Sequence, residues 1–146
     1  VRTSTSEGAL NVIIGYLTSA TVYLIGGVDK LFGACAVFVV LDYITGVIAA
    51  WYNKELSSYT GFRGIAKKVA MFVFVIIGHQ LDVVVGNSEH FMRDAVLMFI
   101  IGTEGISILE NLNRMGVEVP RVLMQSLERV SGEKRKRPSH KRDTIN

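Results

Sequence analysis

Long stretches of this sequence carry no charge, and it has a single cysteine and no catalytic signature. Cys35 has no second thiol to pair with, and there is no CxxC arrangement for a metal or redox centre. It sits in an apolar run and reads as a small buried side chain. His79, His90 and His140 fall in separate regions and do not make a ligand set, so no metal and no other cofactor is expected. GxSxG, HExxH and Walker patterns are missing, and no enzymatic activity is expected. GFRGIAKK, residues 61–68, has the wrong glycine-to-lysine spacing for a phosphate loop, and no strand precedes it. Residues 1–8 are polar and neutral by side chains, with Arg2 against Glu7, and are not expected to act as a cleavable signal.

What fills the 146 residues is apolar: hydrophobic residues make up 49%, and their arrangement decides the class. Residues 9–28 have no charged side chain, 31–53 have only Asp42, and 69–88 have Asp82 with His79. Residues 95–113 carry Glu104 and Glu110. A helix crosses the hydrocarbon core with about 20 apolar residues. The first three segments meet that length outright. In the fourth, an acid near the centre costs ~3 kcal/mol and must be offset by its Leu, Ile, Phe and Val residues and by shelter among other helices. Continuous apolar runs, without strand-like alternation, argue against a β-barrel. The expected fold is all-α, a polytopic membrane helix bundle of four spans within residues 1–130.

Charge orders the connections. Residues 26–30 form a tight neutral turn, whereas 54–68 carry Lys54, Arg63, Lys67 and Lys68 against Glu55 alone. Residues 89–94 are balanced, and from Arg114 onward nine basic residues face four acids, a net of +5. Basic segments stay in the cytoplasm. Both termini are therefore expected inside, with Lys54, Arg63, Lys67 and Lys68 as cytoplasmic anchors. A first segment lying at the surface would leave three spans. Pro120 suits a helix start, and Leu123, Leu127 and Val130 then share a face. Residues 120–130 thus read as a short amphipathic helix on the membrane surface or on a partner. Residues 131–146, with KRKRPSHKR, cannot bury a core and are expected to be a disordered basic tail. Such a run can bind nucleic acid, but contact with anionic lipid is the favoured expectation.

Ionisable groups inside spans usually face a bundle interior or a wet cavity. Asp42, His79, Asp82 and Glu104 are therefore candidates either to line a pore or to hold helices together. Asp42 shares a face with Gly46 and Ala50, and Gly46-xxx-Ala50 permits close helix approach. Glu104, Ser107, Asn111 and Arg114 make a polar stripe on the fourth span.

The run at residues 41–82, LDYITGVIAAWYNKELSSYTGFRGIAKKVAMFVFVIIGHQLD, and EGISILENLNRMGVEVP at 104–120 resemble the toxin-secretion/phage-lysis holin family. With GYLTSATVYLIGGVDK at 15–30, the resemblance covers most of residues 9–125. The positions carrying it are Asp42, Tyr43, Gly46, Gly61, Gly64, Lys67, Lys68, Asp82, Glu104, Gly105 and Asn111. The resemblance implies a phage or prophage protein that accumulates in the bacterial cytoplasmic membrane, self-associates and opens lesions. An endolysin would pass through them, or a toxin in some relatives. It implies no enzymatic role. Two other readings fit the residues: a selective ion channel or transporter subunit using Asp42, Asp82 and Glu104, and a non-conducting adaptor that recruits a partner through the basic tail.

Overall fold

Five helices and no strands make up residues 3–132, the part of the chain described by the computed structural model. They are α1 (Thr3–Ile25), α2 (Lys30–Tyr52), α3 (Ser58–Val85), α4 (Phe91–Arg114) and α5 (Arg121–Ser131). Four are long and apolar enough to cross a membrane, over Glu7–Ile25, Lys30–Tyr52, Gly61–Val85 and Phe91–Arg114. The all-α architecture, the four spans and the short C-terminal helix agree with the sequence reading. The tail from residue 133 onward lies outside the described residues.

The helix ends have local causes. Gly26 and Gly27 stop α1 with φ of 78° and 107°, values that favour glycine. Asp29 then caps α2, its Oδ1 accepting from the Phe32 amide at 2.8 Å. The loop expected over residues 54–68 is much shorter, because α3 already begins at Ser58. Gly61 and Gly64 look like loop residues, yet isolated glycines cost a helix only about 1 kcal/mol each and are tolerated. Arg63, Lys67 and Lys68 consequently stand on a helix and not in a loop.

α4 is the hub and packs against α2, α3 and α5. α2 runs parallel to it, as shown by Gly46 beside Asn111 and Asn53 beside Arg114, while α3 runs antiparallel. A small apolar core of Ile25, Cys35, Met71, Val75, Leu97 and Ile100 fills the middle. Among the described helices α1 runs against α3, touches the rest of the bundle at its Ile25 end, and leaves Val12, Leu17 and Tyr23 exposed. Phe62, Phe74 and Val84 are exposed on α3 as well. Such a surface suits lipid, which solvates apolar side chains as well as a protein interior does.

The sequence reading leaves α5 on the membrane surface or on a partner, and the structure packs it on α4 of the same chain. The helix folds back along α4 on a seat of two glycines. A Cβ on Gly102 would lie 2.6 Å from Ser131 Cβ, and one on Gly105 would lie 2.6 Å from a Leu127 methyl. The sequence pattern shows α5 to be amphipathic, but not what its apolar face meets. Gly105→Leu should therefore lift α5 off α4. Overpacking of this kind costs about 1–3 kcal/mol. Limited trypsin digestion in detergent should then cut at Arg121 or Arg129 several-fold faster than in the parent chain. An unchanged digestion rate would mean that the seat does not hold α5.

Candidate functional site

Three helices each bring one charged side chain to mid-height in the bundle. Lys68 of α3 donates from Nζ to Asp42 Oδ2 of α2 and to Glu104 Oε2 of α4. Glu104 is completely buried, and the side chains of Asp42 and Lys68 are each 11% exposed. The second Glu104 oxygen, Oε1, makes no hydrogen bond, and Lys67 Nζ stands 3.6 Å from it. Asn111 Nδ2 donates to Asp42 Oδ1 at 3.2 Å and to Thr45 Oγ1 at 3.2 Å. Gly46 faces Asn111 closely, and a Cβ there would lie 3.4 Å from Asn111 Nδ2. Two carboxylates and two ammonium groups thus balance. A buried acid requires such a partner, because an unpaired charge out of water costs several kcal/mol. Beside the cluster, towards the 53–57 loop, lies a cavity of about 240 Å³ whose lining includes Asp42, Gly46, Gly61, Gly64, Lys67 and Arg114.

A second cluster ties the opposite end, about 16 Å away along α4 (11 residues at 1.5 Å each). Arg93 is fully buried. Its Nε donates to the Ile25 carbonyl at 2.6 Å and its Nη2 to the Gly27 carbonyl at 2.8 Å. Its Nη1 reaches Asp29 Oδ2 at 2.7 Å and Asp94 Oδ1 at 3.0 Å. The hydrogen bond from Arg93 is the largest influence on Asp29 and holds its carboxyl below the usual carboxylate range.

Asp82 does the work of a missing local cap. His90 precedes α4 in a left-handed conformation and offers no side-chain bond. Asp82 of α3 instead accepts the Met92 and Arg93 amides, each at 2.9 Å. His79 packs against Gly26, and its ring lies 5.7 Å from that of His90. The Nδ1 atoms of both are buried without a hydrogen-bond partner.

The candidate residues thus fall into two groups. Asp42, Gly46, Glu104 and Asn111 meet around Lys68, with Ser107 half-buried on α4; His79 and Asp82 belong to the other end. Lys54 and Arg63 are exposed, whereas Lys68 turns inward. Arg93 and Asp29 escaped the sequence reading because they look like ordinary turn charges. The signal available was the spacing of two acids, Asp29 and Asp94, that balance a single arginine near a helix start.

Four apolar helices, three of them joined through buried ion pairs, define a multi-pass helical membrane protein. Residues 19–132 match the model of the Bacteriophage holin family, and the chain belongs to that family. It is 37% identical to a "Probable holin" of Bacillus phage phi105 over 111 residues, covering 76% of this chain and 81% of that protein. Identity with the uncharacterized protein Lmo0128 of Listeria monocytogenes is 50% over 101 residues, covering 69% of this chain and 71% of Lmo0128. YqxH of Bacillus subtilis, also uncharacterized, is 35% identical over 128 residues, 88% of this chain and 90% of its own length. No solved structure matches the chain. Family and spans together make it a multi-pass protein of the cytoplasmic membrane.

Proposed function

We propose that this chain is a holin that accumulates in the bacterial cytoplasmic membrane, self-associates and opens lesions through which an endolysin, or a toxin, leaves. Membership of the phage holin family is the observation that carries the reading. The placement of charge supports it. Asp42, Lys68 and Glu104 pair with one another inside one chain, and the outer faces of α1 and α3 are apolar. A single copy can then reside in lipid without a leak, as delayed lysis requires. Both termini lie on the cytoplasmic side, because the basic residues concentrate at the 54–68 end and after Arg114. Lys54 and Arg63, exposed at that end, then anchor the bundle.

Induction in bacteria should leave the membrane potential intact for a delay and then collapse it, with lysis when an endolysin is co-expressed. Sustained accumulation with the potential intact and no lysis would sink the reading. Loaded vesicles separate it from a selective channel: a lesion releases a folded protein, whereas a channel passes small ions only. An adaptor acting through its tail would lose its activity on deletion of residues 133–146, whereas the holin should remain lytic.

A further inference from the structure

Tyr16 stands at a depth where tyrosine is out of place. It is the middle residue of the Glu7–Ile25 span, nine residues from either end, and it is 76% exposed. Its hydroxyl has no hydrogen-bond partner among the described residues. Tyr23, Tyr52 and Tyr59 are exposed too, but they lie at or beside span ends, where the ring sits in lipid and the hydroxyl in water. Hydrocarbon offers the Tyr16 hydroxyl nothing to bond. A neutral hydroxyl costs far less than a charge, so a single copy still resides in lipid. The group nevertheless gains from any polar site at its own depth.

The cavity of about 240 Å³ between α2 and α3 is such a site: Gly46, Ala50, Gly61 and Gly64 wall it, and Asp42 and Lys67 line it too. Its inner end lies at the height of Tyr16. α1 and α3 both run opposite to α2, and Gly26 meets His79. Tyr16 is 10 residues back from Gly26 and Lys68 is 11 back from His79, a difference of one residue or about 1.5 Å. A cavity of about 150 Å³ already holds a benzene ring, so this one has room for a phenol. The Asp42 carboxylate accepts from Lys68 and Asn111 and has lone pairs to spare. Lys67 makes no hydrogen bond among the described residues and only approaches Glu104 at 3.6 Å. The chain's own Tyr16 does not reach these groups, because α1 lies against α3, stays clear of α2 and lines no part of the cavity. We propose that Tyr16 of a second copy seats in this cavity, its hydroxyl donating to Asp42 and accepting from Lys67. α1 of one copy then joins α2 and α3 of the next. The contact is head-to-tail, so it can repeat from copy to copy. This rests on the self-association in the reading above and names the surface that carries it.

The test measures association of the full-length chain in lipid vesicles, by energy transfer between two tagged populations. Tyr16→Phe keeps the ring, loses the hydroxyl and should weaken association about fivefold, as losing one neutral hydrogen bond does. Gly64→Leu should weaken it at least tenfold by filling the cavity. A Cβ on Gly64 meets only Tyr43, at 3.8 Å, and leucine is the better helix former, so this variant should accumulate and melt as the parent does. A disulfide locates the contact. On a Cys35→Ala background, mild oxidation should link a Tyr16→Cys chain to a differently tagged Gly64→Cys chain. Phe99→Cys, exposed on α4, should not link to Tyr16→Cys. Lesions that form with both variants associating as the parent does, and without the link between positions 16 and 64, would overturn the proposal and leave the holin reading standing. A link formed only within one chain carrying both cysteines would overturn it as well, since the chain's own α1 then fills the cavity. A parent chain that stays monomeric and opens no lesion would overturn both.

Discussion

Lys68→Ala should leave little folded protein in the membrane. The substitution strands Asp42 and Glu104, two buried carboxylates on neighbouring helices, with only Lys67 nearby at 3.6 Å from one oxygen. Breaking a buried ion pair by removing one partner costs about 3–5 kcal/mol, because the other charge stays desolvated. Here two charges of the same sign remain with no cation between them, and they repel each other. Domain stabilities are only about 5–15 kcal/mol, so the loss is a large share of the total. The expected result is at least a tenfold drop in membrane-accumulated protein and a clear fall in the thermal midpoint in detergent. The partners can be removed together: Lys68→Met with Asp42→Leu and Glu104→Leu deletes the whole cluster and should restore accumulation, since apolar replacements of buried ion networks are often neutral or better. A single variant as stable as the parent would mean that the three side chains do not meet in the membrane. A triple variant no better than the single one would assign the loss to the packing of the Lys68 stem.

That experiment separates what the sequence made legible from what it left hidden. Charge-free length located three spans within a few residues, because lipid admits few alternatives to an apolar helix. It placed the start of the third at residue 69, where the apolar helix already runs from Gly61. The acids within spans announced that something must shelter them. Their partner was not visible: Lys68 closes a basic run that reads as a cytoplasmic loop, and only the early start of α3 at Ser58 turns it inward. Glycine gave the opposite difficulty. Gly61 and Gly64 read as loop and are helical, while Gly102 draws no attention in sequence and proves to be the seat of Ser131. Pattern gives the face of a helix but not the surface that receives it, which is why α5 was recognisable as amphipathic yet its place beside α4 was not.

Arg93 is the sharpest case of a residue that sequence undervalues, and Arg93→Ala should detach α1 from the bundle. Few other contacts hold that helix, whose lipid-facing residues are exposed along most of its length. The guanidinium joins the Ile25 and Gly27 carbonyls to Asp29 and Asp94, so one side chain ties the end of α1, the turn and the start of α4. Truncation orphans these acceptors, and each buried one costs about 1–3 kcal/mol. Arg93→Lys should rescue little, because an ammonium lacks the planar fork that reaches four acceptors at once. The readout is proteolysis and thermal midpoint in detergent: cleavage near the 26–29 turn should accelerate at least tenfold in both variants. The pH dependence gives a second, sharper check. Asp29 has a lowered folded pKa, so its pairing stabilises the fold above the unfolded carboxylate value of about 3.9 and is lost as pH falls through the folded one. The parent should therefore lose part of its stability on acidification below that range, and Arg93→Ala should lose less, having no cation there to release. If the two acid profiles fall in parallel, Asp29 is not held by Arg93, and the attachment of α1 rests on the packing of Ile25 in the core and of His79 against Gly26.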